Sequence, residues 1–489
     1  MTNRFLTNHP EHHSIWAVRE MADRAFSRAA GAPLISGNAV RLLKDAGANY
    51  PAWLSAIASA KHHIHLESYF IREDATGRQF ADALIQKAQQ GVQVRIIYDW
   101  LGGFGKTSQR FWNRLRMCDI EVRCYNPLRV DSPFGWFSRD HRKILTIDGQ
   151  TGFISGLCID QTWEGAPERN VEPWRDTGVE IRGPAVWDIE QAFAYVWAMT
   201  GKPIPEAITA NTDKPPLPGS MNLRIVASMP ATAGLFRLDQ LVAAIARKRL
   251  WLTDAYYAGT TPYVQSLRAA AKDGVDVRLL VPGGTDIPAL RPLSRAGYRS
   301  LLEAGVRIFE WNGSMLHAKT AVADGHWARV GSTNLNIASW FGNCEMDVVI
   351  EDDVFASQME AMFLEDMKKA TELVVDARHK IQSPGKIPRP LRPATKSGSV
   401  GRAAAGAVRI GKAVGSAFTY RQVLEPAEMR LMAGICVSFL AMAALVAAFP
   451  KALAFIIISV FLLVRYRAAL QKLQTFSKKE SKQKFPVFR

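Results

Sequence analysis

Two short phrases in the chain hold residue types that could act together on a phosphodiester. DHRKILTID supplies His141, Lys143 and Asp148, and LHAKTAVAD supplies His317, Lys319 and Asp324. Both follow H-x-K-x4-D. Chance produces many single H-x-K triplets; it does not readily produce two with an aspartate at the same offset. A phosphodiester is an anion and repels nucleophiles. Two lysines would neutralise it and stabilise the charge that builds up in the transition state. One imidazole could attack phosphorus to give a phosphohistidine while the other protonates the departing alkoxide. An alcohol or water would then resolve the intermediate. The lysines fill the part that a divalent ion plays in other phosphoryl chemistry, so neither a metal nor an organic cofactor is expected.

The elements that must position these groups are themselves repeated. AIASAKHHIHLESYF from Ala56 parallels AAIARKRLWLTDAYY from Ala243, each an apolar strand with a carboxylate and an aromatic pair: Glu67 with Tyr69 and Phe70, Asp254 with Tyr256 and Tyr257. AQQGVQVRIIYD and AKDGVDVRLLVP follow, with Gly91 and Gly274 placed to close a helix in the left-handed conformation. IEVRCYNP from Ile120 matches GVRIFEWN from Gly305. Strands alternating with helices predict α/β layers around a mostly buried sheet. The expected fold is two pseudo-symmetric α/β domains with the active site at their interface. On a strand, His and Lys two residues apart project from one face, so each motif is expected to lie on a strand.

These residues resemble the phospholipase D superfamily, whose motif runs H-x-K-x4-D-x6-G-S-x-N. The resemblance covers roughly residues 36–372. The second copy matches throughout, with Gly331, Ser332 and Asn334 in place; the first has Ser155-Gly156-Leu157-Cys158 instead. The resemblance also implies a downstream carboxylate that orients an imidazole. Asp176 in PWRDTGVEIRGP and Glu345 in NCEMDVVIED look like those residues. Together with HRKILTIDG and GSTNLNIAS, these phrases are similar to bacterial cardiolipin synthases. That implies transfer of a phosphatidyl group to phosphatidylglycerol or a related alcohol acceptor. The usual order of the superfamily makes His141 the nucleophile and His317 the general acid. Hydrolysis by a phospholipase D or phosphodiesterase uses the same intermediate and stays open as the alternative.

Three other features invite a functional reading. His63 and His65 share a face of the first repeated strand, as a metal pair would, but their position suits strand residues near a core, and no metal is expected. GGFGKTS from Gly102 lacks the spacing of a phosphate loop, although Lys106 within it and Arg110 just after it could touch a lipid phosphate. The aromatics Phe134 to Phe137 precede the first motif as an acyl-contacting lip or as core.

The net charge of +16 would suggest nucleic acid if it were spread over the chain. Gly385 to Arg489, however, holds 18 Lys/Arg against three acids, +15, which leaves the rest near neutral. A nuclease needs a basic track beside its site, so no nucleic-acid partner is expected. The same tail contains an uncharged run from Leu431 to Phe449, then Pro450-Lys451, then a second run from Ala452 to Val464, with Arg430, Arg465 and Arg467 outside both. This reads as a membrane hairpin with cytoplasmic ends. The expected location is the bacterial inner membrane, with the catalytic region on its cytoplasmic side. The expected organisation is an extension (1–35), a first phospholipase D-like domain (36–200), a linker (201–222), a second such domain (223–375), a basic Pro-rich linker with an interfacial helix (376–425) and the hairpin with its tail (426–489). Five cysteines without a C-x-x-C pair suit free thiols. The residue types leave the oligomeric state open.

Overall fold

A computed structural model describes residues 23–127, 138–205, 217–287, 290–375 and 381–382. The aromatics at 134–137, read as lip or core, and the expected tail hairpin lie outside these residues. No helix among the described residues is long and apolar enough to cross a membrane.

The first half runs β1 (Ile35–Lys44), α1 (Asp45–Ser59), β2 (His63–Ser68), α2 (Ala75–Gln89), β3 (Gln93–Asp99), α3 (Gln109–Arg116), β4 (Glu121–Tyr125), β5 (Lys143–Ile147), β6 (Thr151–Ser155), β7 (Thr177–Arg182) and α4 (Val186–Met199). The second half repeats the series as β8 (Met221–Ser228), α5 (Gly234–Ile245), β9 (Arg249–Thr253), α6 (Thr261–Lys272), β10 (Asp276–Pro282), α7 (Leu290–Ala304), β11 (Arg307–Trp311), β12 (Thr320–Ala323), β13 (Trp327–Gly331), β14 (Glu345–Glu351) and α8 (Asp353–Met367). β15 (Ala370–Val375) and β16 (Ile381–Gln382) follow. Gly91 and Gly274 take φ of +86° and +92° just beyond α2 and α6, where a side chain would be strained.

The strands form one 16-stranded sheet in the order β16-β15-β11-β10-β9-β12-β13-β14-β8-β1-β7-β6-β5-β2-β3-β4. Read outward from the central β8–β1 pair, both halves give the same sequence of strands. β2, β3 and β4 pair in parallel, as do β9, β10 and β11, while the motif strands β5 and β12 run antiparallel to β2 and β9. The halves are therefore not separate globules: β1 pairs with β8 directly.

Among the described residues three apolar cores hold this sheet. α1, α2 and α3 cover the first half with Trp53, Phe80 and Trp112. α5, α6 and α7 cover the second half with Leu238, Leu267 and Leu301. The third core is shared: Ile181, Phe193 and Trp197 from the first half join Val330, Met346 and Phe363 from the second. Each fully buried side chain of this size stabilises the fold by about 1.5–3 kcal/mol. This shared core fixes the two motifs against each other.

Candidate active site

Each motif histidine is anchored to the opposite half. The His317 N–H donates to Arg175 O at 2.7 Å, and the Arg175 N–H donates to Met315 O at 2.9 Å. The His141 N–H donates to Cys344 O at 2.9 Å, and the Cys344 N–H donates to Arg139 O at 2.8 Å. These short parallel bridges explain a departure from the expected strand placement. β5 begins only at Lys143 and β12 at Thr320, because the backbone of the preceding residues is paired across the interface rather than within its own half.

The same crossing brings in the carboxylates. His317 Nδ1 lies 2.8 Å from Asp176 Oδ2, and His141 Nδ1 lies 3.0 Å from Glu345 Oε2. Burial alone would raise the Asp176 carboxyl, but His317, Lys319 and the Trp163 N–H pull it down to about 2. Glu345 is likewise held below its usual range, since His141, Lys143 and Ser332 outweigh burial. Both carboxylates are thus ionised and can only accept, so each Nδ1 carries the hydrogen. Burial, aided by Lys319 and opposed by Asp176, pushes His317 down to about 4. Burial also lowers His141 against the pull of Glu345. Near pH 7 both imidazoles are neutral, with the Nε2 lone pair free.

The lysines lie beside them. Lys143 Nζ donates to His141 O, and Lys319 Nζ donates to His317 O. Lys319 Nζ is also 2.9 Å from His317 Nδ1, but that nitrogen, protonated toward Asp176, has no lone pair to offer. Burial lowers Lys319 to about 8; Asp176 pulls the other way and Lys143 adds to the fall.

Aromatic rings complete the walls. Tyr69 meets His141 edge-on at 5.1 Å between centroids, and Tyr256 meets His317 at 5.7 Å. Trp163 and Trp174 pack on His317 at 5.3 and 5.7 Å. The space between them is a cavity of about 690 Å³ that also reaches Lys143, Lys106 and Asn334.

Ser332 Oγ donates to Glu345 Oε2 at 2.6 Å. Its counterpart in the first half is Gly156, where a Cβ would sit 2.1 Å from Asp176 Oδ1. The Trp163 indole N–H supplies the missing bond to Asp176 Oδ2 at 2.9 Å. The irregular first copy is therefore a rearranged way of giving Asp176 the bond that Ser332 gives Glu345. Asn334 Oδ1 is buried without a hydrogen-bond partner at the cavity wall, and Cys158 occupies the matching place opposite.

Two residues grouped with the catalytic set are corrected. Asp148 and Asp324 lie at the far ends of the motif strands, seven residues or about 23 Å along an extended chain from the histidines. Asp148 adopts φ of +54° and accepts from the backbone N–H groups of Lys61, His62 and His63 at 2.7–2.8 Å. Asp324, at φ +52°, accepts from those of Arg247, Lys248 and Arg249 at 2.7–2.9 Å. Their spacing in the motif reflects a turn that ties β5 to β2 and β12 to β9, not a part in the chemistry. The repeat carboxylates also sit behind the site: Asp254 accepts from the Leu335 N–H at 2.8 Å, and Glu67 is buried 3.8 Å from Arg142.

Lys106 lines the cavity, whereas Arg110 is exposed on α3 and does not. His63, His65 and Glu190 come together away from the cavity with ligand-type atoms within 4.8 Å of one another. There His63 Nε2 is bonded to Glu190 at 2.7 Å, Phe193 stacks on His65, and Arg95 approaches His65 Nε2 at 3.5 Å. A guanidinium at that nitrogen opposes a second cation.

Comparison with known proteins comes to the same family. Residues 53–197 and 241–367 match the family described as "Cardiolipin synthase, PLD-like domain". The chain is 32% identical over 386 residues to cardiolipin synthase 2 of Bacillus anthracis, covering 77% of this chain and 72% of that protein. It is 31% identical over 366 residues to cardiolipin synthase A of Pseudomonas aeruginosa, covering 73% of each. Among solved structures, the phosphatidylserine synthase of Haemophilus influenzae superposes with a TM-score of 0.57 at 15% identity, over 72% of this chain and 91% of that one.

Proposed function

The chain belongs to the cardiolipin synthase family of phospholipase D-like proteins, and from that premise we propose that its paired motifs transfer a phosphatidyl group in two steps through a phosphohistidine. It is a phospholipase D-type phosphatidyltransferase of phospholipid metabolism. In our reading the His141 Nε2 lone pair attacks phosphorus, the P–O bond to the headgroup alcohol breaks, and His317 Nε2–H gives that alkoxide its proton. His317 acquires the proton when the phosphate enters, because the anion offsets the nearby ammonium groups. In the second step His317 takes the proton of the acceptor hydroxyl, whose oxygen displaces His141 from phosphorus. Lys143 and Lys319 hold the non-bridging oxygens.

The observation that carries this reading is the crosswise pairing of each motif histidine with a carboxylate of the other half, around one cavity. The aromatic walls suit a lipid headgroup better than bulk water, and on that ground we place transfer to phosphatidylglycerol ahead of hydrolysis. Purified full-length protein in phosphatidylglycerol vesicles should release glycerol and form the product with two phosphatidyl groups and four acyl chains, read by mass spectrometry. Phosphatidic acid as the main product would move the assignment to a hydrolase. We also propose that the tail beyond Arg421 anchors the enzyme at the inner face of a bacterial membrane. Truncation before Arg421 should move the protein from pellet to supernatant on fractionation; a truncated protein that stays in the pellet without aggregating would refute the anchor.

The lysine gives the expected pH dependence. Lys319, lowered to about 8, is charged below that pH and loses its proton as pH rises through it. Transfer is therefore expected to fall about tenfold per unit on the alkaline side of pH 8. A profile flat to pH 10 would mean that its charge is not needed.

A further inference from the structure

The two halves repeat each other closely at the reaction centre but differ in charge at the rim of the cavity. After β3 the chain brings Lys106 to the wall; after the equivalent β10 it brings Asp286. Asp286 Oδ1 accepts from the Tyr256 hydroxyl at 2.8 Å. Lys106 is placed differently from the other cations there. Arg72 is paired with Asp160, and Arg139 with Asp99 at 3.3 Å. Lys106 makes no salt bridge to a described residue; its Nζ stands 3.3 Å above the centre of the Phe70 ring. Asp160 and Asp286 attract it only at longer range, and burial lowers its pKa.

A partly desolvated ammonium held on a ring face is attracted by the ring's negative face. It regains more when an anion enters. The phosphate being transferred has Lys143 and Lys319. An acceptor alcohol that hangs from a second phosphodiester brings a further anion, one short polyol away, and the cavity cations Arg72 and Arg139 are already paired with Asp160 and Asp99. We propose that Lys106, supported by Phe70, forms the subsite for this second phosphate, and so selects an anionic phospholipid over a neutral alcohol as acceptor. The proposal rests on the phosphatidyltransferase reading above. Asp286, which the second half brings to the same cavity, carries the opposite charge, so the two halves are not equivalent toward an anionic acceptor.

The test is a competition in one tube. Full-length enzyme is given phosphatidylglycerol vesicles with 1-butanol as neutral acceptor, and phosphatidylbutanol and the phosphatidyl-phosphatidylglycerol product are both quantified. In Lys106→Met the ratio of the second product to the first should fall about tenfold, and in Lys106→Glu further, while Lys106→Arg should keep most of it. An unchanged ratio in Lys106→Met overturns the proposal. If Lys106→Met is too unstable to assay, Lys106→Arg against Lys106→Gln gives the same comparison, and equal ratios in that pair overturn it equally. Wild-type enzyme that forms neither product would instead refute the phosphatidyltransferase reading itself.

Discussion

His141→Ala is expected to lose at least about four powers of ten in transfer rate, and His317→Ala about two to four. The general-acid part alone is worth roughly 10²–10⁴, and a nucleophile has no substitute. The two variants should nevertheless differ on a substrate whose leaving group needs no proton, such as a nitrophenyl phosphodiester of a lipid. His317→Ala should still form the phosphoryl adduct with it, and the adduct should persist, because the base that activates the acceptor is gone. His141→Ala should form none. Rapid quench followed by mass spectrometry of the active-site peptides reads this directly. An adduct on His317 would exchange the two roles. Two neutral imidazoles, each with Nδ1–H on a carboxylate, make both histidines able to attack, and the site of the trapped adduct decides between them.

The motif and the repeat were legible because they are local. His141 and Lys143 are two residues apart, and so are His317 and Lys319; the phrases around Glu67 and Asp254 repeat the same pattern of apolar strand, carboxylate and aromatic pair. The order of strands in each half follows from the same repetition. What sequence could not give was the partner of each element across the interface. Asp176 follows His141 in the same half, yet it holds His317, because the Arg175 backbone pairs beside Leu316. Two pseudo-symmetric domains meeting at the active site were expected, and the pairing of β1 with β8 runs one sheet through both, by a contact of residues far apart in the chain.

Spacing misled where a regular offset had a structural cause. Asp148 and Asp324 recur at a fixed distance from the lysines because both motif strands end in the same turn, closed by three backbone N–H bonds. Conversely, the missing serine of the first copy signalled no loss: Trp163 reaches Asp176 from a different part of the chain. The aromatic pairs of the repeat were visible, but their use as walls over the imidazoles was not. Tyr69 and Tyr256 stand at matching places in the repeat, and that match was the available signal.

The crosswise pairing makes a second strong prediction. Asp176→Asn and Glu345→Gln should each lower kcat by about 10²–10⁴, the range in which loss of an orienting carboxylate disables a catalytic histidine. An amide that turns its NH2 toward Nδ1 favours the tautomer with hydrogen on Nε2. At His141 this blocks the lone pair that attacks phosphorus. At His317 it removes the negative charge that supports the imidazolium. Each variant should therefore resemble loss of the histidine in the opposite half. Asp176→Asn should retain adduct formation from the nitrophenyl substrate, as His317→Ala does, and Glu345→Gln should not. The carboxylates are fully buried beside their partners, so melting temperatures must be measured alongside. Variants that stay folded but show the reverse pattern, with Asp176→Asn unable to form the adduct and Glu345→Gln competent, would mean that His317 is the attacking residue. Variants that keep near wild-type rates would mean that the carboxylates only fill the interface.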